Sequence, residues 1–407
     1  MSSVTVTSRG ALRKSDLREA NERLLLNIIR QNAGISPSDM ARMTGFSPSS
    51  IKLIVDRMRK RGLLAIGRRN GDAPMGRRPL ALELCPDAMV AVGIEVALPV
   101  TRIVTADLNG KILRQKTVAW HKNPEIVLGR IRDAIDSMAG ALTRKQSLLG
   151  AGVSIPGTID RSSGMVVAAE NLGWVNVPAG AILTRGLSTP VYVENNAIAS
   201  ALAERWFCEP GRQPLDNFVF LTSHDGLGTG VIADGKPLLG AYGEGCEFGH
   251  VTMVPEGRAC LCGNAGCWEQ YASDFALVRM YREYGGKEAL TALDVVGRVR
   301  HGDAAAQQAL MEAARYTGYG IVNLNAVLNP EAIVIDGYLS AGWDLIEETV
   351  MKVLRQHLAP RCLARIRVVR ARHGSDASLA GTLALVLSRF FTQFHPQAQL
   401  PLTTVSR

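Results

Sequence analysis

The stretch Glu247-FGHVTMVPEGRACLCGNAGCWEQYA-Ser273 places one histidine and three cysteines within eighteen positions, and a glutamate two residues after the last cysteine. His250, Cys260, Cys262 and Cys267 form a four-ligand set in the order His, nine residues, Cys-x-Cys, four residues, Cys. A catalytic zinc keeps a position open for water, whereas a filled Cys₃His set is that of a structural, tetrahedral ion. Gly263 and Gly266 supply the tight turns that such a knuckle needs. One structural Zn²⁺ per chain is therefore expected. Cys85, Cys208, Cys246 and Cys362 are scattered singly and read as ordinary core residues.

Outward from this cluster, the charge is uneven. Residues 1–80 hold 16 Lys/Arg against 6 Asp/Glu, and the remainder holds 30 against 31, so the whole net charge of +9 sits in the first fifth of the chain. A nucleic-acid-binding module joined to a neutral domain has this asymmetry. The sequence has no run of about 18 apolar residues that would span a membrane, and its N-terminus lacks the apolar core of a secretory signal. Clustered thiols suit a reducing compartment. A cytoplasmic protein without membrane contact is expected.

The basic segment is patterned rather than tail-like. Leu24, Leu25, Ile28 and Ile29 recur at helical spacing and end near Gly34. Ser36 is placed to cap a short second helix carrying Met40, Ala41 and Met43. Gly45 permits a tight turn, and Ser47 is placed to cap a third helix with Ile51, Ile54, Val55 and Met58 inward. Two β-like stretches around "GRRNGDAPMGRR" complete a winged helix-turn-helix over residues 1–80. In that geometry the third helix enters the major groove of double-stranded DNA, and Ser49, Ser50 and Lys52 face base edges or phosphates. Arg57, with Arg59, Lys60 and Arg61, meets phosphates or is solvated. Arg77 and Arg78 of "GRRP" either enter a minor groove or belong to an extended linker.

From residue 88 onward strands alternate with helices around glycine turns, as in "LLGAGVSIPGTID" and "PVYVENNAIAS". This is an α/β domain that holds a small ligand between lobes. The stretch 247–273 also resembles the signature of the ROK family of bacterial repressors and sugar kinases: Glu-x-Gly-His, a spacer, then Cys-x-Cys-Gly-x-x-Gly-Cys-x-Glu. "SIPGTID", "AENLGW", "YVENNA", "GLGTGVIADGKPLLGAYGEGCEFGH" and "LNPEAIVIDG" follow in the family's order. The resemblance implies an actin-like two-lobed domain, read here as a first lobe over 88–198 completed by a C-terminal helix at 379–392. A second lobe over 199–378 carries the knuckle. It further implies that Asn195, Asn196, Glu247, His250 and Glu269 hold the hydroxyls of a sugar effector. His250 would then use one ring nitrogen for zinc and the other for the sugar.

At three places the chain departs from the family's kinases. Asn196 stands where the catalytic aspartate is expected, and an amide cannot take a proton from a hydroxyl at neutral pH. Glu95 to Pro99 replaces the first phosphate loop and its two glycines. Tyr338 follows Gly337 where a second glycine of the adenosine motif belongs. The expectation is a sugar-responsive DNA-binding regulator, a repressor, acting as a homodimer or homotetramer on a palindromic operator. Its rivals are a sugar kinase with a DNA-binding appendage and a sensor of zinc itself.

Overall fold

The computed structural model describes residues 14–68, 80–144, 146–208, 213–224, 226–288 and 291–392. Its first helices are α1 (Lys14–Gln31), α2 (Pro37–Thr44) and α3 (Pro48–Lys60). Ser36 Oγ accepts from the Asp39 N–H and Ser47 Oγ from the Ser50 N–H, so both expected caps form. Gly45 takes the left-handed conformation (φ +72°) that lets α2 turn into α3. Leu25, Leu26, Ile29, Met40, Ile51, Ile54, Val55 and Met58 are buried together. Leu24 and Met43 are exposed instead: Leu26 takes the inward place on α1, and on the short α2 Met40 and Ala41 face the core. The wing strands β1 (Leu64–Arg68) and β2 (Leu80–Leu84) pair antiparallel, Leu64 opposite Leu84. Arg77 and Arg78 lie outside the described residues.

The remainder has two five-stranded mixed sheets. The first runs Val191–Asn195, Ser147–Ile155, Met89–Glu95, Val100–Ala106, Ile112–Ala119, the first three strands parallel and the last two antiparallel. The second runs Lys236–Pro237, Gly228–Ala233, Phe218–Thr222, Ala332–Ile335, Arg367–Arg370. Phe218–Thr222 and Ala332–Ile335 are buried along their whole length, as strands covered on both faces must be. The helix Ala377–Thr392 packs on the first sheet, and Ala304–Leu328 with its neighbouring helices covers the second. The helix Asn196–Trp206 touches strands of both sheets, so it crosses the lobe boundary drawn at 198/199. Among the described residues no helix is long and apolar enough to cross a membrane.

That helix is held by backbone-to-backbone contact. A Cβ on Gly381 would stand 2.0 Å from Ala199 O, and one on Gly230 would stand 2.2 Å from Ala197 O. Its far end carries the DNA module: the Arg30 guanidinium of α1 lies 3.9 Å from the Trp206 ring centroid and 5.6 Å from that of Phe391. Burial lowers the pKa of Arg30 from its ordinary value, and Cys208 opposes that shift weakly.

A glycine pair tests the packing. Gly381→Ala should cost about 3 kcal/mol or more, because carbonyl oxygens cannot yield as side chains do. Gly129→Ala lies in a helix with nothing within 4 Å of the new methyl. It should instead gain about 0.5–1 kcal/mol from helix propensity. Thermal unfolding of the full chain, followed by circular dichroism, should move in opposite directions for the two variants.

Candidate functional site

A 430 Å³ cavity opens between the lobes, bordered by Glu170, Asn171, Asn196, Glu247, His250 and Glu269. Asn195 also borders it, and its amide orders the backbone around it with one N–H left over. Oδ1 accepts from the Ala197 and Ile198 N–H groups at 2.8 and 3.2 Å, and Nδ2 donates to Gly157 O at 2.8 Å. Asn195 is thus the N-cap that aims the helix, and Asn196, its first residue, faces the cavity. Glu170 and Asn171, on one 3₁₀ turn after a strand, were not singled out from the sequence, although they lie inside the quoted "AENLGW". A polar pair ending an otherwise apolar strand was the available signal.

The carboxylates are placed by backbone. Glu269 opens a short helical turn; its Oε1 accepts from the Leu227 N–H at 3.2 Å. Any Cβ on Gly226 would stand 2.7 Å from that oxygen, so Gly226 makes room for Glu269. Glu247 precedes the 3₁₀ turn Phe248–His250. Burial raises its pKa above the usual carboxylate range, His250 opposes that, and Glu170, Glu269 and Glu244 reinforce it. Three carboxylates around one cavity offer acceptors only, which suits hydroxyl donors and repels anions.

His250, Cys260, Cys262 and Cys267 present ligand atoms all within 4.8 Å of one another. Cys262 and Cys267 sulfurs are 3.7 Å apart, and Cys260 Sγ is 3.6 Å from His250 Nδ1. Tetrahedral zinc with ordinary bond lengths requires edges of about 3.8 Å between sulfurs and about 3.6 Å from sulfur to nitrogen. The donor set therefore fits the ion. The Cys267 thiol is pushed up to about 12, first by burial and then by its two neighbouring thiols. Since Nδ1 faces the sulfurs, Nε2 is the nitrogen left for the cavity. Gly263 (φ +90°) and Gly266 (φ +75°) make the expected turns, and Asn264 Nδ2 reaches Cys267 Sγ at 3.4 Å. Cys85, Cys208, Cys246 and Cys362 are only half-buried, against the expectation of core positions: each sits at an element end or in a loop, where packing is one-sided.

A second cavity, of 290 Å³, meets the first at Pro156, Asn196, Thr222 and His224. It lies at the replaced phosphate loop, and ion pairs line it. Arg102 Nε donates to Glu95 Oε2 at 2.7 Å, Nη2 to Ser375 O at 3.0 Å, and Nη1 to Asp376. Burial raises the Glu95 carboxyl and the Arg102 contact opposes it. His224 Nε2 is 3.0 Å from Asp336 Oδ2. Tyr338 is buried, its hydroxyl donating to Ala272 O at 2.8 Å. The surviving glycine corner serves packing: Gly228 and Gly230 stand against Ala197, and Gly226 against Glu269.

On the DNA module, Ser49, Ser50 and Lys52 are exposed, and both serine hydroxyls lie 2.9 Å from Ser47 Oγ. Arg57 is engaged elsewhere. Its Nη1 donates to Glu22 Oε1 at 2.8 Å, and Arg61 Nη1 to Glu22 Oε2 at 2.7 Å, tying α3 to α1 through a buried carboxylate.

Comparison with known proteins agrees with both halves. Residues 18–65 match the winged helix-turn-helix DNA-binding model. The chain is 28% identical over 387 residues to the xylose repressor of Caldicellulosiruptor bescii, covering 91% of this chain and 96% of that one. It is 32% identical over 313 residues to the glucokinase of Halalkalibacterium halodurans, covering 71% and 92%. A solved ROK family transcriptional regulator, homologous to the E. coli MLC protein, superposes with a TM-score of 0.80 at 23% identity, covering 92% of this chain and 98% of the other. Residues 91–389 match the ROK family model, and the chain belongs to the ROK family.

Proposed function

We propose that this protein is a sugar-responsive transcriptional repressor. Its winged helix-turn-helix holds an operator, and a neutral, polyhydroxylated effector in the 430 Å³ cavity releases it. The observation that carries this reading is the contrast between the two cavities. Glu247 and Glu269 border one with acceptors, and Asn196 and His250 with donors, a set suited to hydroxyls, while the Glu95–Arg102–Asp376 pairs fill the place where phosphates would be held. The glucokinase relative favours a second reading, a sugar kinase with a DNA-binding appendage. Asn196 in the base position and Arg102 engaged at all three nitrogens, both on the second cavity's rim, argue against that reading.

Zinc would be held by His250, Cys260, Cys262 and Cys267, one ion per chain, as a fastener. Bound there, it neutralises the thiolates; the chain's own residues do the recognition. The effector site is also structurally continuous with the DNA module. The helix Asn196–Trp206 spans about 16 Å from the cavity rim to the ring under Arg30. Two or four copies would present paired recognition helices to a palindromic operator.

Three outcomes are expected. Cys262→Ser should lower zinc content measured by atomic absorption and reduce the melting temperature, since metal and folding free energy are shared. Zinc loss with unchanged melting and unchanged sugar binding would refute the fastener role. Incubation with ATP and any sugar that binds should yield no sugar phosphate, for the wild type or for Asn196→Asp; turnover by the wild type would establish the kinase reading. Saturating sugar should weaken operator binding roughly 5- to 150-fold by fluorescence anisotropy. Glu247→Ala should bind operator normally while needing about tenfold more sugar, or more, to respond, the value of a lost hydrogen bond to a charged group. An unshifted sugar dose–response would remove Glu247 from the site.

A further inference from the structure

The outward face of α3 carries a residue unlike its neighbours. Ile51, Ile54, Val55 and Met58 point inward and are buried. Ser49, Lys52 and Asp56 lie on the other side, and among them stands Leu53, 63% exposed. Ser49 and Leu53 are four residues apart, and Leu53 and Asp56 three, so the three form one stripe along the helix. A large aliphatic side chain in the middle of a polar, water-facing stripe loses hydrophobic stabilisation unless something dry covers it in the functional state. No described residue does so.

The charge around it selects the occupant. The module has ten more basic than acidic residues over positions 1–80, and Lys52, Arg59 and Lys60 are exposed on or beside the stripe. A second copy of this module would bring like charge to the same place, whereas the DNA backbone brings the opposite sign. Within the major groove, the apolar feature that a base edge offers is the 5-methyl group of thymine. Of its neighbours, Ser49 and Ser50 have hydroxyls already drawn to Ser47 Oγ, and Lys52 can reach guanine or a phosphate, so among the exposed residues from Ser49 to Leu53 only Leu53 offers a thymine methyl a large apolar surface.

We propose that Leu53 is a specificity-determining residue that reads a thymine through its methyl group in each operator half-site, an inference that rests on the DNA-binding reading above. Burying one methyl-sized group is worth about 0.8 kcal/mol, so one contact makes about a fourfold difference in affinity and two symmetric half-sites about fifteenfold.

The test uses the full chain and a random duplex pool, from which bound DNA is selected and sequenced. Each thymine of the consensus is then replaced by deoxyuridine, which removes only the methyl group. Wild type should lose about fourfold at one thymine per half-site and little elsewhere. Leu53→Ala should bind the thymine and deoxyuridine duplexes equally. Leu53→Gln, of similar length, should shift the selected base at that position from thymine toward adenine, which glutamine pairs through two hydrogen bonds. Leu53 is exposed, so both variants should melt as the wild type does. If no duplex is enriched, the DNA-binding reading itself fails. If a consensus emerges but deoxyuridine is without effect, or Leu53→Ala keeps the same deoxyuridine sensitivity, only the role of Leu53 is overturned.

Discussion

The contact between the helix Asn196–Trp206 and its surroundings is the constraint on which the rest of the structure depends. Gly381 and Gly230 let neighbouring backbone approach Ala199 O and Ala197 O, and Gly152 lets the first sheet meet the carbonyl of Thr382 on the C-terminal helix. Interiors packed this tightly transmit displacement instead of absorbing it. The helix therefore sits as a rigid strut between two sheets, with its N-terminus fixed by the Asn195 cap and its C-terminus by Trp206 against Phe391. One helix thus joins Asn196 at the cavity to the ring under Arg30.

The metal-ligand loop poses the same mechanical problem on the opposite wall of the cleft, and solves it differently. Its ends are joined by short bridges, Thr252 to Cys267 and Ala259 to Ala265, and its turns need left-handed glycines. Trp268 anchors it to the long helix Ala304–Leu328: its indole nitrogen donates to Tyr316 O at 2.9 Å, and Gly320 clears space for the ring. Ligand and anchor residues are interleaved with Glu247 and Glu269, so fixing the loop fixes two cavity carboxylates. A closed four-ligand site is good at this because it has no position to offer a substrate.

On the side of the replaced phosphate loop, the residues differ from the kinase pattern in charge as well as in shape. The Glu95–Arg102–Asp376 pairs satisfy internally the charges that a phosphate would otherwise meet. Tyr338 removes flexibility where the ancestral pattern has glycine, and its hydroxyl is held by Ala272 O. Asn196 retains hydrogen-bonding capacity while giving up proton transfer. The two adjoining cavities thus differ in chemistry: one is bordered by carboxylates and amides, the other by internally paired charges.

Much of this was legible in the sequence, because it is local. Ser36 and Ser47 cap helices through atoms three residues away, Gly45 and Gly263 turn the chain by their own backbone angles, and the Cys₃His spacing is confined to one loop. The family signature likewise lies in a contiguous stretch. What only the tertiary structure decided involves partners distant in sequence. Arg57 meets Glu22, brought to it by α1 from 35 residues away, a contact that no local pattern announces. Asn195 borders the cavity and also ties the helix to the Gly157 carbonyl 38 residues away. Glu170 and Asn171 come to the cavity from a turn far in sequence from Glu247 and Glu269, and Leu24 and Leu53, apolar in a helical pattern, turn outward. Periodicity says which residues share a face of a helix, but the direction that face takes is set by what packs against it.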